Sequence, residues 1–247
     1  MQYATMIRRI AVTALLFASQ FSVAQDAIPD YIQAAVASSE RTPAMTERDA
    51  NRKPAELLAL SGVKPGDTVV EFAGFGQYFT TLLSSIVGET GKVLVYDLPY
   101  MEAPTGDASR AFAAAHPNTT YTVVDYNAME LPPGLDQVHN VLYYHDLPLN
   151  QIDTAVLNQK IFDALKPGGV YLIVDHNAEA GSGTRDIKDL HRIDPAVIRQ
   201  QVLAAGFILA EESDLLAHAA DDHSTMVFAP GTRGTTDQSV FRFVKPQ

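Results

Sequence analysis

The chain has 247 residues, no cysteine and a formal net charge of −11 at pH 7. The absence of cysteine excludes a disulfide framework, a thiolate metal site and a cysteine nucleophile. The acidic balance repels a phosphate backbone, so we expect no nucleic-acid partner and interpret the charge mainly as a source of solubility.

The first 24 residues have the pattern of an export signal. Arg8 and Arg9 precede an apolar run over 10–18, and small residues lead up to Ala24. The run is shorter than the ~20 residues that a spanning helix needs. Cleavage after Ala24 is therefore predicted, with an uncleaved anchor as the alternative. We expect a periplasmic or secreted protein with no membrane span after cleavage.

A lead-in over 25–45 has a weak helical pattern and a break at Pro43, and 46–247 is predicted to be one domain. This domain alternates strand-like and helix-like segments, which predicts an α/β fold with a mostly parallel sheet covered on both faces. The predicted strands are 68–72, 92–96, 120–124, 137–143, 170–174, 207–211 and 240–244, and the predicted helices are 78–87, 108–115, 153–165 and 195–205.

Three connections have expected structures of their own. The Lys-Pro-Gly-Gly turn at 166–169 is expected to end a helix, because Pro and Gly both stop helices. Asp194, directly before Pro195, is expected to cap the next helix. The last two strands are expected to pair antiparallel. The long connection over 215–238 between them is expected to be functional or disordered, and to close over a cleft.

Ligands of open α/β sheets bind at the carboxyl ends of the strands. The first predicted strand leads into Ala73-Gly74-Phe75-Gly76, just after Glu71. Glycines permit positive φ and close approach of a ligand, and the following helix presents free N–H groups. The same turn could be a plain strand-to-helix connection. Its place after the first strand favours a binding site.

Acids also follow the next two strands, Asp97 after the second and Asp125 after the third. An acid at the position of Asp97 can accept hydrogen bonds from ribose hydroxyls. Asp125 is a candidate contact to an adenine edge. Either could instead be an ordinary loop acid.

Two neighbouring strands each end in a histidine beside an aspartate. Tyr144-His145-Asp146 follows the fourth strand and Asp175-His176 follows the fifth. Such pairs can orient an imidazole, tune its pKa or bind a metal. The segments at 191–194 (His-Arg-Ile-Asp) and 221–223 (Asp-Asp-His) add residues of the same types, with helix capping or loop hydrogen bonding as their alternative role.

Taken in order, these motifs resemble the predicted exported S-adenosylmethionine (SAM)-dependent methyltransferases of bacteria, a branch of the class I methyltransferases. The resemblance covers about Arg48 to Pro246, includes Asp49 and Arg52, and is most specific at 144–146, 175–176 and 191–194. It implies a Rossmann-like, doubly wound sheet of seven strands, mostly parallel with an antiparallel last strand. It also implies SAM as the cofactor and methyl transfer to a small-molecule acceptor.

The resemblance further implies roles for particular residues and no metal ligand. His145, oriented by Asp146 or Asp175, would act as the general base. The residues expected at the SAM pocket are Glu71, Ala73, Gly74, Gly76, Asp97, Asp125 and Tyr144, and those expected at the reaction centre are His145, Asp146, His176, His191 and Asp194.

The chain departs from the class at the loop after the first strand. Class members usually carry glycines two, four and six residues after the first-strand acid, where this chain has Ala73, Phe75 and Gln77. The Gln77 side chain is therefore expected to crowd the methionine end of the donor.

Two other functions stay open at this level. The His and Asp residues at one rim also suit a metal-dependent enzyme or metal-binding protein, since such N and O ligands bind borderline ions. The same cleft could belong to a non-catalytic extracytoplasmic binding module, because a fold does not fix chemistry. Neither the acceptor nor the oligomeric state can be derived from the sequence.

Overall fold

A computed structural model gives the fold of residues 27–247. The predicted signal sequence and its cleavage after Ala24 lie outside the described residues and stay predictions. Within the described part, no helix combines the length and the apolar character that crossing a bilayer requires.

The helices and strands follow the predicted alternation closely. The strands of residues 27–247 are β1 Thr68–Phe72, β2 Lys92–Asp97, β3 Thr119–Val123, β4 Leu135–Val141, β5 Leu165–His176, β6 Ile208–Ser213 and β7 Gln238–Val244. The α-helices are α1 Asp30–Val36, α2 Pro43–Thr46, α3 Asp49–Arg52, α4 Pro54–Ser61, α5 Tyr78–Val87, α6 Pro99–Met101, α7 Asp107–Ala115, α8 Asp146–Leu149, α9 Thr154–Ala164 and α10 Pro195–Ala204. A 3-10 turn at Phe75–Gln77 and a π-turn at Glu102–Gly106 complete them.

The strands form one seven-stranded sheet in the order β3-β2-β1-β4-β5-β7-β6. All pairs are parallel except those of β7, which runs antiparallel to both β5 and β6. The predicted fold class is confirmed. Strand order reverses between β1 and β4, so a crevice is expected to open at the carboxyl ends of these two strands.

Two apolar clusters cover the two faces of the sheet. Side chains alternate along a strand, so Val69 packs on one face and Val70 on the other. The Val69 cluster includes Ile32 of α1 and Leu82 of α5, and the Val70 cluster includes Ile161 of α9. The sheet is thus buried on both sides, which leaves its carboxyl edge as the place where polar side chains can meet.

The structure differs from the predicted boundaries at two prolines. The Lys-Pro-Gly-Gly turn lies inside β5, where the pairing with β4 jumps from Leu135 opposite Leu165 to Gln137 opposite Val170. This bulge is held because the backbone N–H of Gly168 donates to the carbonyl of Lys245. Pro43 begins α2 and does not interrupt the chain, since proline is well tolerated in the first turn of a helix.

The connection after β6 packs against the sheet through a buried ion pair. Arg192 is fully buried and contacts the Asp221 carboxylate at 2.7 and 3.0 Å. Arg192 also donates to the carbonyls of Thr225 and Asn177, and the Asp237 N–H donates to Asp221. These bonds fix the connection over the carboxyl end of β5.

The ion pair predicts a large stability effect at one of two neighbouring aspartates. Asp221→Ala should lower the free energy of unfolding by about 3–5 kcal/mol, because it leaves the buried Arg192 charge without its partner. The adjacent Asp222 is exposed, so Asp222→Ala should cause a much smaller change. Urea unfolding of both variants measures this, and equal stability of Asp221→Ala and the unaltered protein would contradict it.

Candidate active site

A cavity of about 430 Å³ opens at the carboxyl ends of β1 and β4, where the strand order reverses. Its wall combines the loop after β1, the segments after β4 and β5, helix α3 and the connection before β7. The lining residues include Glu71, Ala73, Phe75, Gly76, Tyr78, Leu142, Tyr143, His145, Asp146, His176, Arg48, Arg52, Phe228 and Arg233.

The loop after β1 has a backbone shape typical of glycine. Ala73, Gly76 and Gln77 have φ angles of 58°, 66° and 53°, in the left-handed region that non-glycine residues seldom adopt. Ala73 and Gln77 stand where the class usually has glycine. At these two of the three replaced positions the chain therefore keeps a glycine-like backbone conformation without the glycine.

Gly74 allows the close approach of β2 to this loop. A Cβ atom there would lie 2.8 Å from Val95 Cγ1. The Gly74 N–H donates to Asp97 Oδ1 at 3.0 Å. Gly74 thus serves the packing behind the loop, whereas Gly76 is part of the cavity wall.

The expected crowding by Gln77 is wrong for this structure. Gln77 Nε2 donates to Ser109 Oγ of α7 at 2.9 Å, and the residue is absent from the cavity wall. The hydrogen bond to Ser109 holds the side chain on the other side of the loop. The cavity beside Gly76 stays open.

Glu71 is a buried acid in the cavity wall. Thr80 Oγ1 donates to its Oε2 at 2.6 Å. Burial raises the pKa of Glu71 to about 8, an effect that the Thr80 hydrogen bond opposes and the charge of Asp97 reinforces, while Arg52 opposes it. The carboxyl group is therefore mostly protonated near neutral pH.

Besides Gly74, three residues predicted for the SAM pocket lie away from the cavity. Asp97 is fully buried and supports Gly74 from behind, and Asp125 is exposed and accepts a hydrogen bond from the Asn127 N–H. Tyr144 is buried, and its hydroxyl bonds to Gln201. Their contact with a cofactor stays a prediction that this arrangement does not support directly.

The tyrosine at the cavity is Tyr143 and not Tyr144, for which this position was predicted. Tyr143 lines the cavity, and its hydroxyl lies 3.0 Å from that of Tyr100. Both tyrosines follow β4, which ends at Val141, and the connection to α8 turns only the first of them into the cavity wall. The sequence Tyr-Tyr contains no signal that distinguishes them.

The two His–Asp pairs meet, as the strand order predicted. His145 Nδ1 lies 2.6 Å from Asp175 Oδ1, and the backbone N–H of His145 donates to Asp175 Oδ2 at 2.7 Å. The ring centroids of His145 and His176 are 6.0 Å apart. Asp175, one of the two candidates, is therefore the residue that orients His145 through Nδ1.

The surroundings shift the pKa values of His145 and His176 in opposite directions. Burial alone would lower the pKa of His145, but the charge and hydrogen bond of Asp175, with the charge of Asp146, raise it above its ordinary value. Burial lowers the pKa of His176 to about 3. His176 is thus a neutral ring at physiological pH, and its Nδ1 lies 2.8 Å from Thr236 Oγ1.

His191 joins this group, but Asp194 does not. His191 Nδ1 lies 3.3 Å from Asp146 Oδ1, and its ring is tilted by 57° against that of Phe228, with the centroids 5.1 Å apart. Asp194 caps α10 as predicted, accepting from the Ala196 N–H at 2.9 Å. Asp194 does not line the cavity, so its predicted place at the reaction centre has no support from its position.

Three arginines in the cavity wall had no predicted role. Arg48, Arg52 and Arg233 line the cavity. Within residues 27–247, none of the ion pairs includes them. Burial, with the charges of Arg48 and Arg233, lowers the pKa of Arg52 to about 10. In the sequence Arg48 and Arg52 are only motif positions, and nothing around Arg233 points to the cavity.

No protein-family model matches the chain. It is 27% identical over 132 residues to the ubiquinone/menaquinone biosynthesis C-methyltransferase UbiE of Legionella pneumophila, which is 53% of this chain and 52% of that protein. The chain thus spans about half the length of the curated relatives that it matches. The aligned half supports a relationship in sequence to SAM-dependent methyltransferases.

Solved structures of methyltransferases share the fold. A SAM-dependent methyltransferase from Aquifex aeolicus has a TM-score of 0.58 at 17% identity and covers 82% of this chain and 94% of its own. A phosphoethanolamine N-methyltransferase from Haemonchus contortus, in complex with phosphomonomethylethanolamine and S-adenosylhomocysteine, has a TM-score of 0.57 at 19% identity, covering 81% and 53%. The fold is that of the class I SAM-dependent methyltransferases.

The buried Glu71 predicts a pH-dependent stability that a single substitution removes. Its pKa is about 8 in the folded chain and near 4.3 when unfolded, so between these values the folded state holds the extra proton. Stability should then fall with rising pH, by at most about 1.4 kcal/mol per pH unit from this group.

Glu71→Gln keeps an acceptor for Thr80 and cannot ionise. The variant should lose the decline between pH 5 and pH 8 and be the more stable protein at pH 8. Urea unfolding at both pH values measures this. Parallel declines in the two proteins would rule out Glu71 as the source.

Proposed function

We propose that this chain, built on the class I methyltransferase fold, transfers a methyl group from SAM to a small-molecule acceptor. One observation carries the proposal. The cavity at the reversal of strand order lies between the glycine-shaped loop of Ala73 to Gln77 and the His145–Asp175 pair. A donor held at the loop would face a proton acceptor across the same cavity.

The loop supplies the features that a nucleotide-like donor needs. Its positive φ angles at Ala73 and Gly76 let a ligand approach the backbone, and the start of α5 offers free N–H groups. Glu71, being neutral near pH 7, can donate a hydrogen bond as well as accept one. Asp97 fixes Gly74 and so supports the loop from behind.

The reaction requires alignment more than covalent help from the protein. The acceptor's lone pair forms a bond to the methyl carbon while the carbon–sulfur bond breaks, and the sulfonium keeps that electron pair as a thioether. Holding donor and acceptor in line supplies most of the acceleration. The acceptor's proton must leave, and His145 can take it. Asp175 keeps the hydrogen on Nδ1, which leaves the lone pair on Nε2.

The three cavity arginines indicate an anionic ligand. Guanidinium groups collected without a carboxylate partner repel one another, and an anion relieves that repulsion. The anion could be the carboxylate of the donor's methionine or a charged group of the acceptor. We propose a negatively charged acceptor. The relative from Haemonchus contortus, whose structure contains phosphomonomethylethanolamine, has a ligand of this chemistry.

We also propose that the mature protein acts in the periplasm or outside the cell. The pattern over residues 1–24 supports export and a periplasmic or secreted mature protein. Because SAM is made in the cytosol, a protein acting outside it would need a supply of donor there.

Donor binding is predicted to depend on Gly76 and not on Gln77. Calorimetric titration should detect binding of SAM and S-adenosylhomocysteine. Gly76→Val should weaken it at least about tenfold, because a β-branched residue resists positive φ and would enter the cavity. Gln77→Ala serves as the matched control, since this side chain contacts Ser109. Binding of neither ligand by the unaltered protein at ~1 mM would end the proposal.

Methyl transfer is predicted to require His145. The assay uses methyl-labelled SAM and pairs of phenols, amines and hydroxy acids, in which one compound of each pair is anionic and the other neutral. The label should pass to an anionic compound. His145→Ala should slow turnover about 10²–10⁴-fold at unchanged SAM affinity, as for loss of a general base. His116→Ala removes a distant, partly exposed histidine and should leave turnover unchanged. SAM binding without label transfer to any acceptor would favour a binding module instead.

A further inference from the structure

Three side chains at the cavity direct one atom each to a common point. His145 Nε2 lies 3.4 Å from Asp146 Oδ1 and 3.4 Å from His191 Nδ1. His191 Nδ1 lies 3.3 Å from the same Asp146 Oδ1. The three atoms therefore form a nearly equilateral triangle with two nitrogens and one carboxylate oxygen.

The size of this triangle fits a metal ion. In a tetrahedral zinc site the bonds to His nitrogen and carboxylate oxygen are ~2.0–2.1 Å, which sets ligand atoms about 3.3–3.4 Å apart. All three observed separations agree with that value. Direct hydrogen bonding alone explains the triangle less well, because such bonds to nitrogen usually span 2.7–3.2 Å.

The surroundings of His145 are those of a metal ligand. Asp175 holds its Nδ1 at 2.6 Å, so Nε2 keeps the lone pair that coordination needs. A carboxylate behind the far nitrogen of a ligating histidine is the usual arrangement in zinc proteins, where it fixes the ring and its tautomer. His145 and Asp146 also line the cavity, so a fourth position can face a bound molecule.

We propose that His145, Asp146 and His191 form a mononuclear site for a divalent transition metal of the zinc type, with an open position toward the cavity. Two imidazoles and one carboxylate suit zinc, iron(II) or cobalt(II) better than magnesium or calcium, which favour oxygen ligands. Three protein ligands with one open position is the composition of catalytic zinc sites.

The site deepens the proposed methyl transfer, although its existence does not depend on that reaction. With an ion bound, His145 Nε2 would be a ligand and no longer a general base, and the ion would instead supply the acidity that lowers the pKa of an acceptor hydroxyl at the open position. Failure of donor binding would remove the methyl-transfer proposal and leave the metal site untouched.

Metal content tests the site directly. The protein is purified without a polyhistidine tag, stripped with chelator and titrated with Zn²⁺ and with Co²⁺, whose visible absorption reports four-coordination. We expect one ion per chain and tetrahedral Co²⁺ bands. Asp146→Ala and His191→Ala should each weaken binding at least about 100-fold. Asp175→Asn, which removes the carboxylate that orients His145, should weaken binding about 10–100-fold.

Two histidine variants serve as matched controls. His176 lies near His145 but its Nδ1 contacts Thr236, and His116 lies against Glu40 at the surface. His176→Ala and His116→Ala should both bind the ion as the unaltered protein does. Circular dichroism confirms that each variant is folded. Absence of binding at ~100 µM ion would overturn the site. So would binding that Asp146→Ala and His191→Ala leave unchanged.

Discussion

The geometry of the cavity depends on the buried carboxylate of Asp175. This group accepts hydrogen bonds from the backbone N–H of His145, from the backbone N–H of His176 and from the ring of His145. It therefore joins the ends of two neighbouring parallel strands and orients an imidazole at the same time. A buried carboxylate with several donors is well compensated for the loss of water, so the arrangement is rigid before any ligand arrives.

Burial changes the charge of two groups in the cavity wall and leaves three arginines charged. Glu71 is neutral because burial raises its pKa, and His176 is neutral because burial lowers its pKa. The positive charges of Arg48, Arg52 and Arg233 line the same cavity. Three guanidinium groups thus stand against the single acid Asp146 in the cavity wall of an acidic protein. This local excess of positive charge favours a negatively charged ligand.

Much of the fold could be predicted because strand and helix patterns are local. β1 and α5 were predicted with their observed bounds, and the meeting of His145 with Asp175 followed from neighbouring strand ends. Side-chain direction could not be predicted in the same way. Tyr143 and Tyr144 are equivalent in the sequence, Gln77 turns aside through a bond to distant Ser109, and Arg233 reaches the cavity wall from the long connection before β7.

The left-handed residues in the loop after β1 have a consequence for how the chain meets a ligand. An alanine or glutamine in this conformation costs roughly 1–2 kcal/mol each relative to glycine, so Ala73 and Gln77 store strain that the surrounding packing must offset. These two side chains also reduce the number of backbone conformations that the ligand-free loop can adopt. A loop with fewer accessible conformations loses less conformational entropy when it binds a ligand, so the two substitutions trade stability of the free chain for preorganisation of the binding loop.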